Sequence, residues 1–516
     1  MTSQPTTPTK AGSGPGGNGE PDSGLQAGLK NRHLSMIAIG GVIGAGLFVG
    51  SSSGIATAGP GILLSYALVG TLVVLVMRML GEMSAANPTS GSFSAHADRA
   101  LGPWAGFSIG WLYWFFWVVV LAVEATAGAK ILEEWIPQVP QWGWALIVMV
   151  VLTATNLVSV GSYGEFEFWF AGIKVVAIAA FIVVGGLAVF GVLPGVDAEK
   201  AGLSNLTEHT GFLPNGPGAI LIGVLLVVFS FMGTEIATLA AGESEHPQKA
   251  VTKATNSIIW RIAVFYLGSI FVVVTLLPWN DPAIEDKGSY VAALDSLGIA
   301  HAGQIMNFIV LTSVLSCLNS GLYTASRMAF SLGTRGDAPK AFARTNARGV
   351  PMAAILSSVV FGFVAVFFNY AYPDTVFLFL VNSSGAVALF VWLAICFSQL
   401  RLRKVIEREE PEKLVVRMWL YPYLTWATIA LIVFVLGYML TDTEHGNRDI
   451  LLLSLLVAAL VVGVSLVKDK VLGGGRTATP GASEASESAG ASGSPGSSGS
   501  SAKVADSKAG APGDRS

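Results

Sequence analysis

The sequence predicts an all-α integral membrane protein of twelve transmembrane helices, and three observations predict it. Of 516 residues 52% are hydrophobic and only 12% charged, about half the charge of an ordinary soluble chain. Twelve apolar stretches approach the roughly 20 residues a bilayer-crossing helix needs. Lysine and arginine gather in alternate loops, as they do where positive loops stay on the cytoplasmic side.

The leader, residues 1–28, is Pro, Gly, Ser and Thr with almost nothing to bury, and residues 473–516 form a Gly/Ala/Ser-rich tail. Both are expected to be disordered and cytoplasmic. Residues 29–472 make up the transmembrane domain. Its first half reads Leu34–Thr57, Ile62–Ala85, Trp104–Ile131, Trp142–Val160 and Phe168–Val192 as spans one to five, followed by Gly218–Ala241 as span six. Spans seven to twelve are Ile258–Leu277, Ile305–Leu332, Met352–Tyr370, Val376–Leu400, Tyr421–Leu440 and Ile450–Val467. Span one ends in Ala56-Thr57-Ala58, which imitates a signal-peptidase site. Its leader is long for a signal sequence, glycines interrupt it and it runs straight into span two, so it is read as retained.

With odd spans running outward, Lys30, Arg32, Arg99, Lys249, Lys253, Arg335, Arg401, Arg403 and Lys404 are among the many cytoplasmic cations. The outer side keeps Lys130, Lys200, Lys287 and Arg448. A net charge of −3 with no polybasic domain argues against nucleic-acid binding. Cys317 and Cys396 sit in apolar stretches without a CxxC spacing, which implies neither a disulfide framework nor a metal site. No cofactor motif is present. Gly50-Ser51-Ser52-Ser53-Gly54 matches the hydrolase elbow GxSxG but lacks its strand-to-helix context and an intramembrane histidine partner. There is no Walker A motif and no HExxH, so neither ATP-driven nor zinc-hydrolase chemistry is expected.

In hydrocarbon an interrupted helix is tolerated where its freed backbone groups face protein or a water-filled cavity, so interruptions point to function. Span one contains Gly40-Gly41-Val42-Ile43-Gly44-Ala45-Gly46, and span six contains Phe229-Ser230-Phe231-Met232-Gly233-Thr234-Glu235. Both fall near mid-membrane, at matching places in two five-span halves, as in an inverted-repeat secondary transporter with its site at the two breaks. The competing explanation is close helix packing, since Gly40/Gly44 and Gly46/Gly50 are GxxxG pairs. A broken span one offers the N–H groups of Ala45 and Gly46 to an anion, while carbonyls of Val42, Phe229 and Met232 can accept from an ammonium. Together they form a receptor for a small zwitterion.

Ionisable side chains inside spans are costly and are functional candidates by default. Glu124 lies in span three, Lys174 in span five and Glu235 in span six. Arg78, Glu82, Arg261 and Arg327 lie near cytoplasmic ends, where snorkelling or gate-side ion pairing is the simpler explanation. Lys174 falls about two turns into span five with no polar neighbour in its own flanks. Burial disfavours a charged ammonium, which makes Lys174 a candidate for coupling to protons. Trp111, Tyr113, Trp114, Phe115, Phe116 and Trp117 of span three read mainly as core packing, with one or two rings available to wall a cavity beside Phe229.

The stretches IGGVIGAGLFVGS (39–51), MRMLGEMSAANPTSGSFS (77–94), GWLYWFFW (110–117), GEFEFWF (164–170), FSFMGTEI (229–236) and SCLNSGLYTASRM (316–328) carry a family resemblance over roughly residues 29–470. The chain resembles the amino acid-polyamine-organocation superfamily, within it the bacterial amino-acid transporter family, and most closely the γ-aminobutyrate permeases. The resemblance implies a five-plus-five inverted repeat of the LeuT type with two additional helices, in the bacterial cytoplasmic membrane, alternating access under a proton gradient. It implies that Gly44, Ala45 and Gly46 hold a carboxylate, that the carbonyls of Val42, Phe229 and Met232 take an amine, and that Phe229 gates. Lys174 matches the lysine that stands in for sodium in sodium-coupled relatives, and Glu235 and Glu243 match acidic positions at and below the span-six break. Proton coupling is thereby assigned to Lys174 and Glu235, and a cytoplasmic gate to Glu243 and Arg327. The expected partners are a zwitterionic amino acid, protons and the lipid bilayer. The alternatives are an α-amino-acid permease or an exchanger and, from other classes, a membrane hydrolase or a non-transporting amino-acid sensor.

Overall fold

A computed structural model describes residues 32, 36, 43–89, 91–158, 160–193, 201–236, 238, 246–371, 373–443 and 446–471. Both expected tails, Val42 and Glu243 lie outside the described residues. Compact packing runs through Val467, and a second unit begins at Lys468. Among the described residues there is no strand. Among these residues eight helical runs are long and apolar enough to cross a membrane, and three further apolar helices are shorter. The protein is thus a multi-pass, all-helical membrane protein.

Helices coincide with the apolar segments read from the sequence. Span one appears as Ala45–Phe48 and Gly50–Ala58, span two as Ile62–Ala86, span three as Pro103–Trp135 and span four as Gln141–Val158. Span three starts with proline in its first turn, where the missing N–H costs nothing. The first helix of span six runs Gly218–Phe231. Met232 then turns extended and Gly233 adopts φ +100°, a conformation a side chain would strain. Span seven runs from Pro247 to Leu276 but is wound as a π-helix over Ile262–Gly268, a distortion periodicity did not announce. Spans eight to twelve are Ala302–Thr334, Met352–Ala371, Pro373–Glu409, Tyr423–Met439 and Asn447–Val471.

Span five differs most from expectation. Its helix begins at Val160 rather than Phe168, which places Lys174 about four turns in instead of two. Glu165 and Glu167 had lowered the apparent hydropathy there. The helix continues through them because Glu167 is fully buried and Glu165 pairs with Arg32.

Spans one and six pack on each other, and span three packs along span eight and touches spans four, nine and ten. Span three is buried for most of its length. Exposed large apolar side chains concentrate instead on the outward faces of spans four, five, nine, eleven and twelve, for example Val150, Trp169, Phe367, Trp426 and Leu456. At the far end of span one, the short helix Ser289–Asp295 closes over it: Ser51 Oγ and Ser289 Oγ are 2.7 Å apart, Ser289 N–H donates to Ser52 Oγ at 2.8 Å, and Tyr290 meets Phe48 edge-on.

Candidate functional site

The two breaks face one another. Gly44, Gly46, Phe116, Trp117, Val120, Glu124, Phe229, Ser230, Met232 and Cys317 surround one buried cavity of about 10 Å³, room for about one water and for no amino acid. Among the predicted binding residues, Gly44, Gly46, Phe229 and Met232 are brought together here, with Ala45 bonded to the cavity-lining Glu124. A larger cleft of about 520 Å³ lies apart from them, near the C-terminal ends of spans one and eleven and the N-terminal end of span six, lined by Thr57, Asn215 and Asp442 among others.

Three backbone groups of span one at the break, the Ile43 and Gly46 carbonyls and the Ala45 N–H, are answered by side chains from other helices. Lys174 Nζ of span five donates to the Ile43 carbonyl at 2.9 Å. The Ala45 N–H donates to both oxygens of Glu124, from span three, at 3.1 Å. Ser230 Oγ of span six donates to the Gly46 carbonyl at 2.5 Å. The glycines permit this approach. A Cβ at Gly46 would lie 2.7 Å from the Ser230 Cα, and one at Gly44 would lie 2.6 Å from Glu124 Oε1 and from Cys317 Cβ. At Gly50 a Cβ meets nothing nearer than 3.8 Å. The Gly46/Gly50 pair is therefore not a helix-packing motif, and the tight contacts lie at the break itself.

The span-six break is capped mostly from its own chain. Glu235 Oε1 and Oε2 accept the Gly233 N–H at 3.1 and 3.2 Å, and Tyr113 Oη of span three donates to Oε1 at 2.8 Å. The Phe229 carbonyl accepts the Met232 N–H at 3.3 Å, which leaves its second lone pair for another donor. Tyr113, assigned to core packing from sequence, is thus a polar member of the site, while Phe116 and Trp117 wall it.

Lys174 is fully buried and does not snorkel. Its second neighbour is Glu167, with Nζ 4.0 Å from Oε1, and Ser316 Oγ of span eight donates to the same oxygen at 2.8 Å. Glu167 is not among the sequence-predicted site residues. The available signal was its place two turns before Lys174, which puts both on one helix face.

The other intramembrane ions separate into kinds. Glu82 is buried and accepts from Gln399 at 2.8 Å, from the Met418 N–H at 2.6 Å and from Arg403, so it ties span two to span ten. Arg78 lies over the Trp419 ring and donates to Asn256. Arg327 is buried with its guanidinium 4.8 Å from the Tyr323 ring centroid. Burial of Glu82, Arg261 and Arg327 rules out snorkelling for those three.

Comparison with known proteins gives the site a family. Residues 33–468 match the family model for amino acid permeases. The chain is 56% identical over 440 residues to a γ-aminobutyric acid permease of Bacillus subtilis, covering 85% of this chain and 93% of that one. It is 54% identical to a γ-aminobutyric acid permease of Escherichia coli over 81% of this chain and 89% of the relative. An aromatic amino acid transport protein of Corynebacterium glutamicum is 41% identical over 88% and 98%. Among solved structures, a mutant manganese transporter of Eremococcus coleocola superposes with a TM-score of 0.54 over 86% of this chain and 93% of its own, at 11% identity, a likeness of fold alone. With a match that takes in both breaks, both buried carboxylates beside them and the span-five lysine, the chain belongs to the amino acid permease family.

Proposed function

We propose that the protein is a secondary active transporter that takes up an amino acid, γ-aminobutyrate first, by proton symport and alternating access across the cytoplasmic membrane. The observation that carries this reading is the pair of opposed helix breaks around one closed cavity, where span one presents N–H groups and span six presents carbonyls. A carboxylate suits the first and an ammonium the second. The choice of γ-aminobutyrate follows the 54–56% identity to permeases named for it. The 41% identity to an aromatic amino acid transporter keeps an α-amino acid as the second reading, because a receptor built from backbone is tolerant of side chains.

In this reading twelve helices form two inverted five-helix repeats plus two more, both termini are cytoplasmic, and apolar faces such as those of Trp169 and Leu456 meet lipid. Gly44, Ala45 and Gly46 receive the carboxylate; Val42, Phe229 and Met232 receive the ammonium; Phe229 gates. Lys174 and Glu235 couple to protons, and Glu243 with Arg327 serves the cytoplasmic gate. The closed cavity and the cover of Ser289–Asp295 over span one fit an occluded stage of such a cycle.

Uptake into proteoliposomes under an imposed pH gradient tests the function, with unlabelled proline, phenylalanine, alanine and lysine as competitors of labelled γ-aminobutyrate. Accumulation that follows the gradient supports symport; accumulation that needs internal amino acid instead makes the protein an exchanger. Orientation is tested by single cysteines at Ser23 and Ser483 in a chain lacking Cys317 and Cys396. Impermeant maleimide should reach them only after the membrane is opened.

A further inference from the structure

We infer that Glu124 is an internal stand-in for the substrate's carboxylate, so that loading is an exchange of one carboxylate for another on the Ala45 amide and places a proton on Glu124. The inference rests on the amino-acid reading and adds to it the group that binds the proton.

The geometry is specific. Glu124 is buried on span three, with its two oxygens at equal distance, 3.1 Å, from the Ala45 nitrogen. That N–H is among the groups assigned to the incoming carboxylate. Glu124 also lines the cavity, whose 10 Å³ leaves no place for a substrate while this side chain stays where it is. Gly44 is what lets the carboxylate come so near, since a Cβ there would sit 2.6 Å from Oε1.

A second carboxylate at the same amide meets the first at contact distance, and two carboxylates sharing a site do not both remain ionised. The groups facing Glu124 set which one yields. Span one contributes only backbone, span eight the Cys317 thiol, and span five the Lys174 ammonium. Lys174 is engaged by the Ile43 carbonyl and by Glu167, which Ser316 holds in turn. Among the described residues, no cation besides the engaged Lys174 lies beside Glu124 to neutralise a second anion. The substrate brings its own carboxylate to the amide, and Glu124 takes a proton from hydronium on the loading side, whose O–H bond breaks to leave water. One N–H···O bond to Glu124 breaks, one to the substrate forms, and one O–H bond forms on Glu124. On release the steps reverse on the other side, and the proton leaves with the substrate. In the empty protein the returning carboxylate restores the amide's partner.

The test follows proton uptake directly. Purified full-length protein in weakly buffered detergent with a pH indicator is mixed with γ-aminobutyrate, or with whichever competitor amino acid it binds, and separately with butylamine, which lacks the carboxylate. The parent should take up about one proton per amino acid bound and none with butylamine, and its affinity should fall up to about tenfold per pH unit on the alkaline side. Glu124→Gln, a neutral isostere, should bind with an affinity nearly independent of pH and without proton uptake. A parent that binds an amino acid without taking up a proton overturns the proposal and leaves the transport reading standing. So does a Glu124→Gln variant that still takes up a proton. If no amino acid binds the parent at any pH, the transport reading fails and the proposal with it. Should Glu124→Gln fail to fold, the contrast between amino acid and butylamine on the parent still decides.

Discussion

The breaks in spans one and six solve the same problem in opposite ways. Each frees backbone groups in a medium with no water to receive them. Span six answers from its own chain, with Glu235 turned back onto the Gly233 N–H and a positive φ that glycine accepts. Span one answers with partners lent by spans three, five and six, namely Glu124, Lys174 and Ser230. A break capped mainly by its own segment depends less on what its neighbours do. A break held from three sides changes when any of those helices moves or when a ligand outcompetes one of them. Span one is thus the adjustable half of the receptor and span six the fixed half.

The largest effect should come from forcing the halves apart. Gly46→Ala places a methyl group against the Ser230 backbone, where overpacking costs about 1–3 kcal/mol and misplacement of about 1 Å can cost a hundredfold in rate. Uptake should be nearly abolished while the thermal midpoint falls modestly; near-parental uptake would mean that the two breaks do not act together.

Removing a lender should come next. Lys174→Ala leaves Glu167 buried without its ammonium neighbour, and breaking a buried pair costs about 3–5 kcal/mol. Adding Glu167→Gln should recover much of that stability in thermal unfolding but not gradient-driven accumulation. If accumulation returns with stability, Lys174 is a structural residue.

Smaller effects separate the halves. Tyr113→Phe removes one donor from Glu235 and should cost about 1.5–3 kcal/mol, the worth of a hydrogen bond to a charged group, or about 1 kcal/mol if the carboxyl is neutral. Binding should weaken little, because Gly233 still caps Glu235. Ser230→Ala costs about 1 kcal/mol in stability but releases the Gly46 carbonyl, so it should weaken binding more than Tyr113→Phe does. The reverse order of affinities would undo the comparison.

The smallest effect is expected outside both breaks. His96, on the short helix Ser92–Leu101 between spans two and three, is held by burial, aided by Arg99, to a pKa of about 4. It is neutral at physiological pH and adds nothing to the alkaline limb of transport. Because its folded pKa lies below the unfolded value of about 6.5, the stability it supports is present above that value and is lost as pH falls toward 4. His96→Gln should leave the pH profile of uptake in place and flatten the acid loss of stability.

Much of this was readable in one dimension. Apolar runs located the helices, the span-one glycines and the Phe229–Glu235 stretch marked the two breaks, and the scarcity of charge inside spans singled out Glu124, Lys174 and Glu235. Pairings were not readable, since they join residues far apart: Ala45 with Glu124, Lys174 with Ile43, Glu82 with Arg403. Glu167 was missed because a carboxylate lowers hydropathy whether it faces water or a buried lysine. Tyr113 was missed because an aromatic run conceals the one hydroxyl that bonds. The π-helix in span seven leaves no mark in composition.

The position of Glu167 also bears on how the protein is made. A lysine at the centre of a helix costs about 2.5–3.5 kcal/mol when that helix leaves the translocation machinery for lipid. Span five brings its counter-charge with it, two turns away on the same face, and Ile43, the other partner of Lys174, belongs to a span synthesised earlier. Ser316, which fixes Glu167 in the finished protein, is not yet translated at that moment. Span five thus carries its lysine's counter-charge within itself, and the later span eight adds the Ser316 donor that fixes it.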